Sequence, residues 1–515
     1  MSLGIYLTFD FLTHTVFVNY TPTDLAEQIL WTQNLKIGYG IQPPLYSYLQ
    51  IVLVKLFGIN LFTFQILHEM LFTGTVAFIY LIFRELESPL PQPPHLDRQG
   101  GSFALLPLSR GLGGDTITTL AAFSFAFVTG EFIEVPVKTH TAIATFMSTA
   151  TFFLFIKILK GPSTKLFLWL GLVLGMGLLS KYNFAFLVIC LLIAAATNQE
   201  SRKKIFQPNL LISFLITSLI ITPNLLWLLE NRHLAVKNFA PKVLQYKPPE
   251  LSLLSELLQT FNALFSDLFL VYFVPFTVCF LCIYLLSRFQ KAKDQTPENH
   301  IPEKEFFQNP GTSLFVRFFI ITLSIILLLA FGFKINRVRT FWFQPLFFYL
   351  PGLTLLFLYI KGHWNKFAEK ILTVVLCGLI CVSPFFKIYY IKNHVETKQL
   401  TRQDMQETYI KAIKNTGFKQ GLIIADLDRN PAADIKLFFP ESKVIWWEDR
   451  FNREFEKSEA QSVLVVSNGM NEKELADVFD LGKFERVDGG FESFSEKVKQ
   501  KNPEVKAINL LIQTH

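Results

Sequence analysis

The chain has 515 residues, of which 51% are hydrophobic and 17% charged, with 55 phenylalanines and a net charge of +7. About a quarter of the residues in a soluble globular chain are charged, so this composition excludes an ordinary soluble protein and favours one whose main solvent is lipid. The basic excess lies before residue 392, mainly in short loops between apolar runs. It therefore indicates membrane topology and contact with membrane lipid, with no nucleic-acid partner.

Apolar runs long enough to cross a bilayer, which takes about 20 helical residues, recur along the first three quarters of the chain. About eleven are predicted, near residues 3–19, 60–83, 116–132, 139–157, 165–180, 182–197, 208–229, 262–287, 313–333, 342–360 and 370–390. Lysine and arginine concentrate in loops such as 198–207 and 288–312, which are therefore expected in the cytoplasm. The opposite loops, and the whole chain after residue 391, are then expected outside the membrane.

The first outer loop, residues 20–59, contains two amphipathic stretches that are too short to span a bilayer. They cover residues 25–35 and, after the pair Pro43-Pro44, residues 45–57. Such stretches are typical of helices that lie along the membrane surface.

The tail of the chain has a different pattern. A polar helical stretch at 402–415 precedes three strand-length apolar bursts, at 422–425, 444–447 and 463–466, and helical periodicity follows at 472–479. This order predicts a small α/β unit. We therefore expect an α-helical polytopic membrane domain over residues 1–391 and a soluble extracytoplasmic α/β domain over residues 392–515.

Two acidic residues lie in the first amphipathic stretch. In a helix, Asp24 and Glu27 are three residues apart and share a face, so their carboxylates would point the same way beside the bilayer. An acid at the start of a helix is also a common stabilising feature. The local sequence leaves both interpretations open.

Three segments, in order, resemble signatures of the C-type polytopic glycosyltransferases. This superfamily includes protein O-mannosyltransferases, aminoarabinose transferases acting on lipid A, and transferases of the lipopolysaccharide core. The segments are the first-loop pattern from Asp24 to Tyr46, residues 171–182 (GLVLGMGLLSKY) and residues 337–351 (RVRTFWFQPLFFYLP). The resemblance covers about residues 5–390. It implies inverting transfer of a sugar from a polyprenyl-phosphate donor to a lipid-linked glycan, lipopolysaccharide or protein, at the outer face of the bacterial inner membrane.

By this resemblance, Asp24 matches the catalytic acid of the first outer loop, with Glu27 as a second carboxylate nearby. A carboxylate placed at an acceptor hydroxyl can remove its proton as the new bond forms. Many members have another acid directly after the first, where this chain has Leu25. The resemblance therefore implies no certain cofactor, and a divalent metal is the weaker alternative.

The leaving group of this reaction is a phosphate, whose growing negative charge needs cations held in place. The resemblance implies that Lys181, with the adjacent Tyr182, binds the donor phosphate together with Arg337 and Arg339. The alternatives are a lysine that extends from a helix end toward the head groups, and two arginines assigned to the wrong side of the membrane.

Four further residues are implied to bind substrate: Tyr39, Gln42, Pro44 and His140. His140 lies where many relatives have an acid. The alternatives are a polar helix cap for His140 and, for Trp31, Tyr39 and Tyr46, an interfacial aromatic belt.

Two other functions fit many apolar helices. One is a secondary transporter or lipid flippase, although such proteins commonly have internal repeats and charges at the middle of the membrane, which are not evident here. The other is a degenerate family member that binds polyprenyl lipids without turnover, which Leu25 would suit.

Overall fold

The structure is a computed structural model, and the residues it describes are 8, 11–13, 18, 20–39, 42–87, 118–122, 124–125, 139–232, 253–266, 281, 284–285, 309–333, 342–360, 366–395, 401–446, 462–467, 485–486 and 509–514.

Thirteen helices are described before residue 391. They are α1 (Thr23–Trp31), α2 (Leu45–Phe57), α3 (Leu61–Glu87), α4 (Thr139–Lys160), α5 (Thr164–Ser180), α6 (Phe184–Ala196), α7 (Gln199–Ile205), α8 (Leu210–Glu230), α9 (Leu253–Leu264), α10 (Pro310–Gly332), α11 (Gln344–Phe347), α12 (Leu350–Ile360) and α13 (Lys366–Tyr390).

Five of these helices, α3, α4, α8, α10 and α13, are long and apolar enough to span a membrane. They match five of the predicted runs, and the protein is a multi-pass membrane protein. The predicted runs at 165–180, 182–197 and 342–360 are present as shorter apolar helices. Most of the runs at 3–19, 116–132 and 262–287 lies outside the described residues, so the number eleven stays a prediction.

Helices are present at both amphipathic stretches of the first loop, and their position along the membrane surface stays a prediction. The second coincides with α2, and the first is α1, which begins at Thr23 and ends at Trp31. Apolar residues at positions 25, 26, 29 and 30 of α1 follow the helical repeat, and all four are buried.

Helix α4 is the most buried of the five long helices, whereas α8 is the least buried, as expected of a helix that faces lipid. Helix α5 packs against α8 through small residues. The Oγ atoms of Ser213 and Thr217 on α8 donate to the carbonyls of Phe167 (2.6 Å) and Gly171 (3.0 Å) on α5. Small residues allow this approach because, in lipid, helices associate through close packing and polar contacts. The glycines of the second signature thus act in helix packing.

The tail contains a five-stranded sheet preceded by helical segments. Helices α14 (Arg402–Met405) and α15 (Lys411–Asn415) are joined by a π-helical turn (Gln406–Ile410), and α16 (Arg429–Phe438) connects the first two strands. The strands are β1 (Leu422–Asp426), β2 (Lys443–Trp446), β3 (Ser462–Ser467), β4 (Glu485–Arg486) and β5 (Asn509–Thr514).

The strand order is β2-β1-β3-β5-β4, with β2, β1 and β3 parallel and β5 and β4 antiparallel to their neighbours. The three predicted apolar bursts are β1, β2 and β3. The predicted helix at 472–479 lies outside the described residues.

The described residues contain two large apolar cores. One joins the membrane helices, and the other lies between the sheet and α16 and includes Leu25, Ala26, Ile29 and Leu30 of α1. A helix of the first loop is therefore part of the core of the tail. The domain boundary at residue 391 stays a prediction, and α1, which precedes it in sequence, packs with the tail.

Adding a methyl group at Gly171 is predicted to destabilise the protein. A Cβ there would lie 2.8 Å from the Cα and carbonyl oxygen of Ser213, and backbone cannot move aside as a flexible side chain can. We expect Gly171→Ala to lower the unfolding free energy by about 1–3 kcal/mol, the usual cost of overpacking. Thermal unfolding in detergent measures this. Gly161→Ala is the control, since nothing lies within 4 Å of its Cβ, and equal unfolding temperatures for both variants would contradict the packing assignment.

Candidate active site

Asp24 is half-buried in the first turn of α1. The residue before this helix, Pro22, offers no side-chain cap, and a negative charge in the first turn interacts favourably with the helix dipole. The carboxylate also lies near Tyr46 of α2. Burial raises the pKa of Tyr46, and the nearby charge of Asp24 raises that pKa further. Asp24 therefore faces the start of α2, and its stabilising and catalytic interpretations are compatible.

A buried polar network joins α1 to α4. Gln28, one helical turn after Asp24, has its Nε2 atom 3.3 Å from Nε2 of His140, and its Oε1 atom accepts a hydrogen bond of 2.8 Å from the hydroxyl of Ser47. On the other side of the imidazole, Nδ1 lies 3.3 Å from the carbonyl oxygen of Ser180. Helices α1, α2, α4 and α5 thus meet at one histidine.

Lys181 directly follows Ser180, the residue whose carbonyl contacts Nδ1 of His140. It is the extended residue between α5 and α6, and its Nζ donates to the Thr141 hydroxyl at 2.8 Å. His140 and Thr141 are neighbours in the first turn of α4. The structure therefore brings the helix of Asp24 and the ammonium of Lys181 to the same end of α4.

Tyr182 extends this contact toward α8. Its hydroxyl lies 3.2 Å from Oδ1 of Asn224, whose Nδ2 donates to the carbonyl of Ile37 at 2.9 Å. Directly after Ile37, Gly38 lies so close to the Trp227 indole that a Cβ at this position would collide with the ring. Gly38 of the first-loop pattern is thus explained by its close approach to α8.

Tyr39, Gln42 and Pro44 lie between α1 and α2. The Tyr39 ring stacks on Trp31, with ring centroids 5.5 Å apart, and its hydroxyl donates to the carbonyl of Asn34 at 2.7 Å. Burial raises the pKa of Tyr39 to about 12. The backbone N–H of Gln42 donates to the Tyr39 carbonyl at 3.1 Å, and Pro44 precedes α2 and is buried. These residues shape the turn, and their contact with a substrate stays a prediction.

Glu27 faces the tail of the chain. Its carboxylate pairs with the guanidinium of Arg429, at the start of α16, and both side chains are largely buried. The guanidinium carbon also lies 4.5 Å from the ring centroid of Trp446 on β2, a cation–π contact. A buried ion pair of this kind gives Glu27 a structural partner, so Asp24 and Glu27 occupy different surroundings although they share a helix face.

Further polar contacts fasten the tail to the first loop. The Thr21 hydroxyl donates to Oδ1 of Asp434 at 2.5 Å, and Arg402 donates to the carbonyls of Val18 and Tyr20 at 3.0 and 3.2 Å. Arg402 also lies 4.0 Å from Asp434. Burial raises the pKa of Asp434 to about 6, against the lowering effects of the Thr21 hydrogen bond and the Arg402 charge.

Another contact of the first loop covers the edge of the sheet. The side-chain amide of Gln33 donates to the carbonyl of Val444 at 2.8 Å and accepts from its amide at 2.7 Å. Gln33 thereby pairs with the backbone of Val444 as a neighbouring strand would, at one residue of the edge strand β2.

Two predicted site residues, Arg337 and Arg339, lie outside the described residues. Within the described part of the chain, no group of three His, Cys, Asp or Glu side chains is placed to hold a metal ion. Glu27, the second carboxylate near Asp24, is paired with Arg429. The described residues around Asp24 therefore provide no three-residue ligand set for a metal ion.

Sequence reasoning did not identify Gln28, Ser47, Thr141 and Arg429. Gln28 is four residues after Asp24, and a glutamine among the apolar residues of an amphipathic helix is a detectable signal for a buried polar contact. Arg429 gives no such signal, because its partner lies 402 positions earlier.

Comparison with known proteins gives a consistent result. The family model of dolichyl-phosphate-mannose-protein mannosyltransferases matches residues 102–227. Lipopolysaccharide core galacturonosyltransferase RgtB of Rhizobium johnstonii is 29% identical over 329 residues, 64% of this chain and 58% of the relative. RgtA of the same organism is 26% identical over 231 residues, 45% of this chain and 42% of the relative. The matched regions thus span about half the length of these two proteins.

Among solved structures, ArnT from Cupriavidus metallidurans bound to undecaprenyl phosphate matches with a TM-score of 0.56 and 9% identity, over 99% of this chain and 97% of ArnT. This match shows the fold. The family model, the two relatives and the fold together confirm the predicted resemblance to the C-type polytopic glycosyltransferases.

The buried carboxyl of Asp434 predicts a pH effect on stability. Because this pKa is raised, the folded protein holds the carboxyl proton more tightly than the unfolded chain does. The protonated Asp434 therefore contributes its full stabilisation of the fold below about pH 4, and this stabilisation is lost as the pH rises through about 6. The loss is on the order of 3 kcal/mol. Asp434→Asn, which stays neutral, should gain stability relative to the wild type between pH 4 and 7.

Unfolding temperatures measured across this pH range test the prediction. Asp428→Asn, which replaces an exposed aspartate, is the matched control. A curve for Asp434→Asn that runs parallel to that of the wild type would contradict the role assigned to Asp434.

Proposed function

We propose that this chain, which resembles the C-type polytopic glycosyltransferases, transfers a sugar from a polyprenyl-phosphate donor to an acceptor hydroxyl at the outer face of the bacterial inner membrane. The observation that carries the proposal is the placement of α1 and Lys181 at one end of α4. A carboxylate suited to proton removal and a cation suited to phosphate are thereby held in the same part of the molecule.

The reaction in this proposal is a single displacement. The acceptor oxygen forms a bond to the anomeric carbon while its proton passes to the carboxylate of Asp24. The bond from that carbon to the phosphate oxygen breaks, and its electron pair leaves with the polyprenyl phosphate. One displacement inverts the anomeric configuration.

Lys181 would neutralise the charge that grows on the departing phosphate. Its ammonium is already oriented by the Thr141 hydroxyl, and a cation fixed before the reaction stabilises developing charge without the cost of rearrangement. Arg337 and Arg339 are proposed to add a bidentate grip on the same phosphate, which a lysine cannot provide. The isoprenoid chain of the carrier would lie among the apolar helices.

The relatives favour an envelope glycan as the acceptor. RgtB and RgtA are named for transfer of galacturonic acid to the lipopolysaccharide core, and the ArnT structure contains undecaprenyl phosphate. We therefore propose lipopolysaccharide core or a related lipid-linked glycan as acceptor, undecaprenyl-phosphate-linked sugar as donor, and an extracytoplasmic position for the tail.

Replacement of Asp24 is predicted to abolish most of the transfer. Purified protein in lipid nanodiscs is incubated with radiolabelled polyprenyl-phosphate sugars and lipopolysaccharide extract, and label in the acceptor is counted. Asp24→Asn should lower kcat about 10²–10⁴-fold, the usual contribution of a general base, because the amide cannot accept the proton. Lys181→Met should lower kcat and also raise KM for the donor.

A comparison variant and a transport assay complete this test. Glu27→Gln is the comparison on the same helix: it keeps a hydrogen-bond acceptor for Arg429 and should lower kcat much less than Asp24→Asn does. Equal rates for the wild type and Asp24→Asn would remove Asp24 as the base. Movement of labelled lipid or solute across vesicles, with no donor consumed, would establish the transporter alternative instead.

A further inference from the structure

We propose that His140 is a positioning residue that holds the helix of Asp24 in register with Lys181. This inference rests on the proposed transferase function. The family resemblance implies that His140 contacts substrate, whereas in the structure this residue is only 4% exposed.

The hydrogen-bond partners fix the state of the imidazole. The Ser180 carbonyl can only accept, so Nδ1 of His140 carries the proton and donates to it. In the neutral ring, Nε2 is then an acceptor, and it receives a hydrogen bond from the Gln28 amide, whose oxygen is occupied by the Ser47 hydroxyl. A second proton on Nε2 would place two donors against each other. The network therefore favours a neutral histidine with a single orientation.

This orientation couples two parts of the site. One ring nitrogen holds Gln28, one turn after Asp24, and the other holds Ser180, directly before Lys181. The following residue, Thr141, holds the ammonium of Lys181 itself. A shift of the imidazole would thus move the carboxylate of Asp24 relative to the ammonium that faces the donor phosphate.

The network is also closed to water. Gln28, Ser47 and Ser180 are fully buried, so a group that loses its partner at this place has no solvent to replace it. The amide of Gln28 would then have to turn away or shift with α1. Displacements of about 1 Å at a reacting group are enough to cost about 10²-fold in rate.

The test replaces the two ring nitrogens of His140 one at a time. Asparagine at position 140 places an amide near Nδ1, whereas glutamine reaches the position of Nε2, where its oxygen can accept from Gln28. We expect His140→Phe and His140→Asn to lower kcat about 10–100-fold, with KM for the donor within about threefold of the wild type. His140→Gln should recover kcat to within about threefold of the wild type.

A double-variant comparison distinguishes positioning from loss of folded protein. A loss of folded protein scales every rate equally, so Asp24→Asn would then lower kcat by the same factor in the wild-type and His140→Phe backgrounds. Positioning predicts a much smaller effect of Asp24→Asn in the His140→Phe background, because the carboxylate is already misplaced there. Ser148→Ala, two turns along α4, is the control, since it deletes a hydroxyl that donates to Ala144 of its own helix at 2.8 Å.

An unchanged effect of Asp24→Asn in that background, or equal recovery by asparagine and glutamine, would overturn the inference. If the wild type transfers no sugar, the proposed function fails on its own, and amide hydrogen exchange over residues 23–31 decides the positioning claim. Faster exchange in His140→Phe that returns to the wild-type rate in His140→Gln supports it, and wild-type exchange in both contradicts it.

Discussion

The position of α1 depends on contacts made at both of its sides. This helix has nine residues, and isolated helices shorter than about 12 are marginal in water, so α1 takes its order from its neighbours. On one side Gln28 bonds to His140 of the membrane helices, and on the other Glu27 pairs with Arg429 of the tail. Asp24 lies one helical turn before Glu27 and Gln28. The placement of the proposed base therefore depends on two parts of the chain that are far apart in sequence.

This arrangement gives the tail a direct connection with the proposed chemistry. Its core includes the apolar face of α1. Gln33, just after that helix, pairs with the backbone of Val444 on the edge strand β2. Polar contacts buried among apolar residues are costly to leave half-made, so each of them favours one relative position of tail and helix. The described part of the tail thus contacts α1 through its core and its polar contacts, whereas Lys181, the proposed cation, belongs to the membrane helices.

The sequence predicted the parts of the structure that periodicity and length encode. The long apolar helices, α2 at its observed bounds, and the strands β1, β2 and β3 follow from local pattern. The packing of α1 into the tail did not follow, because the pairing of Glu27 with Arg429 joins residues with no local sign of each other. For the same reason, sequence analysis placed Asp24 and Glu27 together as one acidic pair. In the structure, Glu27 pairs with Arg429 of the tail, whereas Asp24 faces Tyr46 of α2.

A structure of the full chain in lipid nanodiscs with bound polyprenyl phosphate tests the central claim most directly. We expect the phosphate to lie against the ammonium of Lys181, with the carboxylate of Asp24 facing the same cavity and Gln28 still bonded to His140. A phosphate bound at the opposite membrane face from Asp24, or an α1 that has left His140 when the lipid is bound, would contradict it.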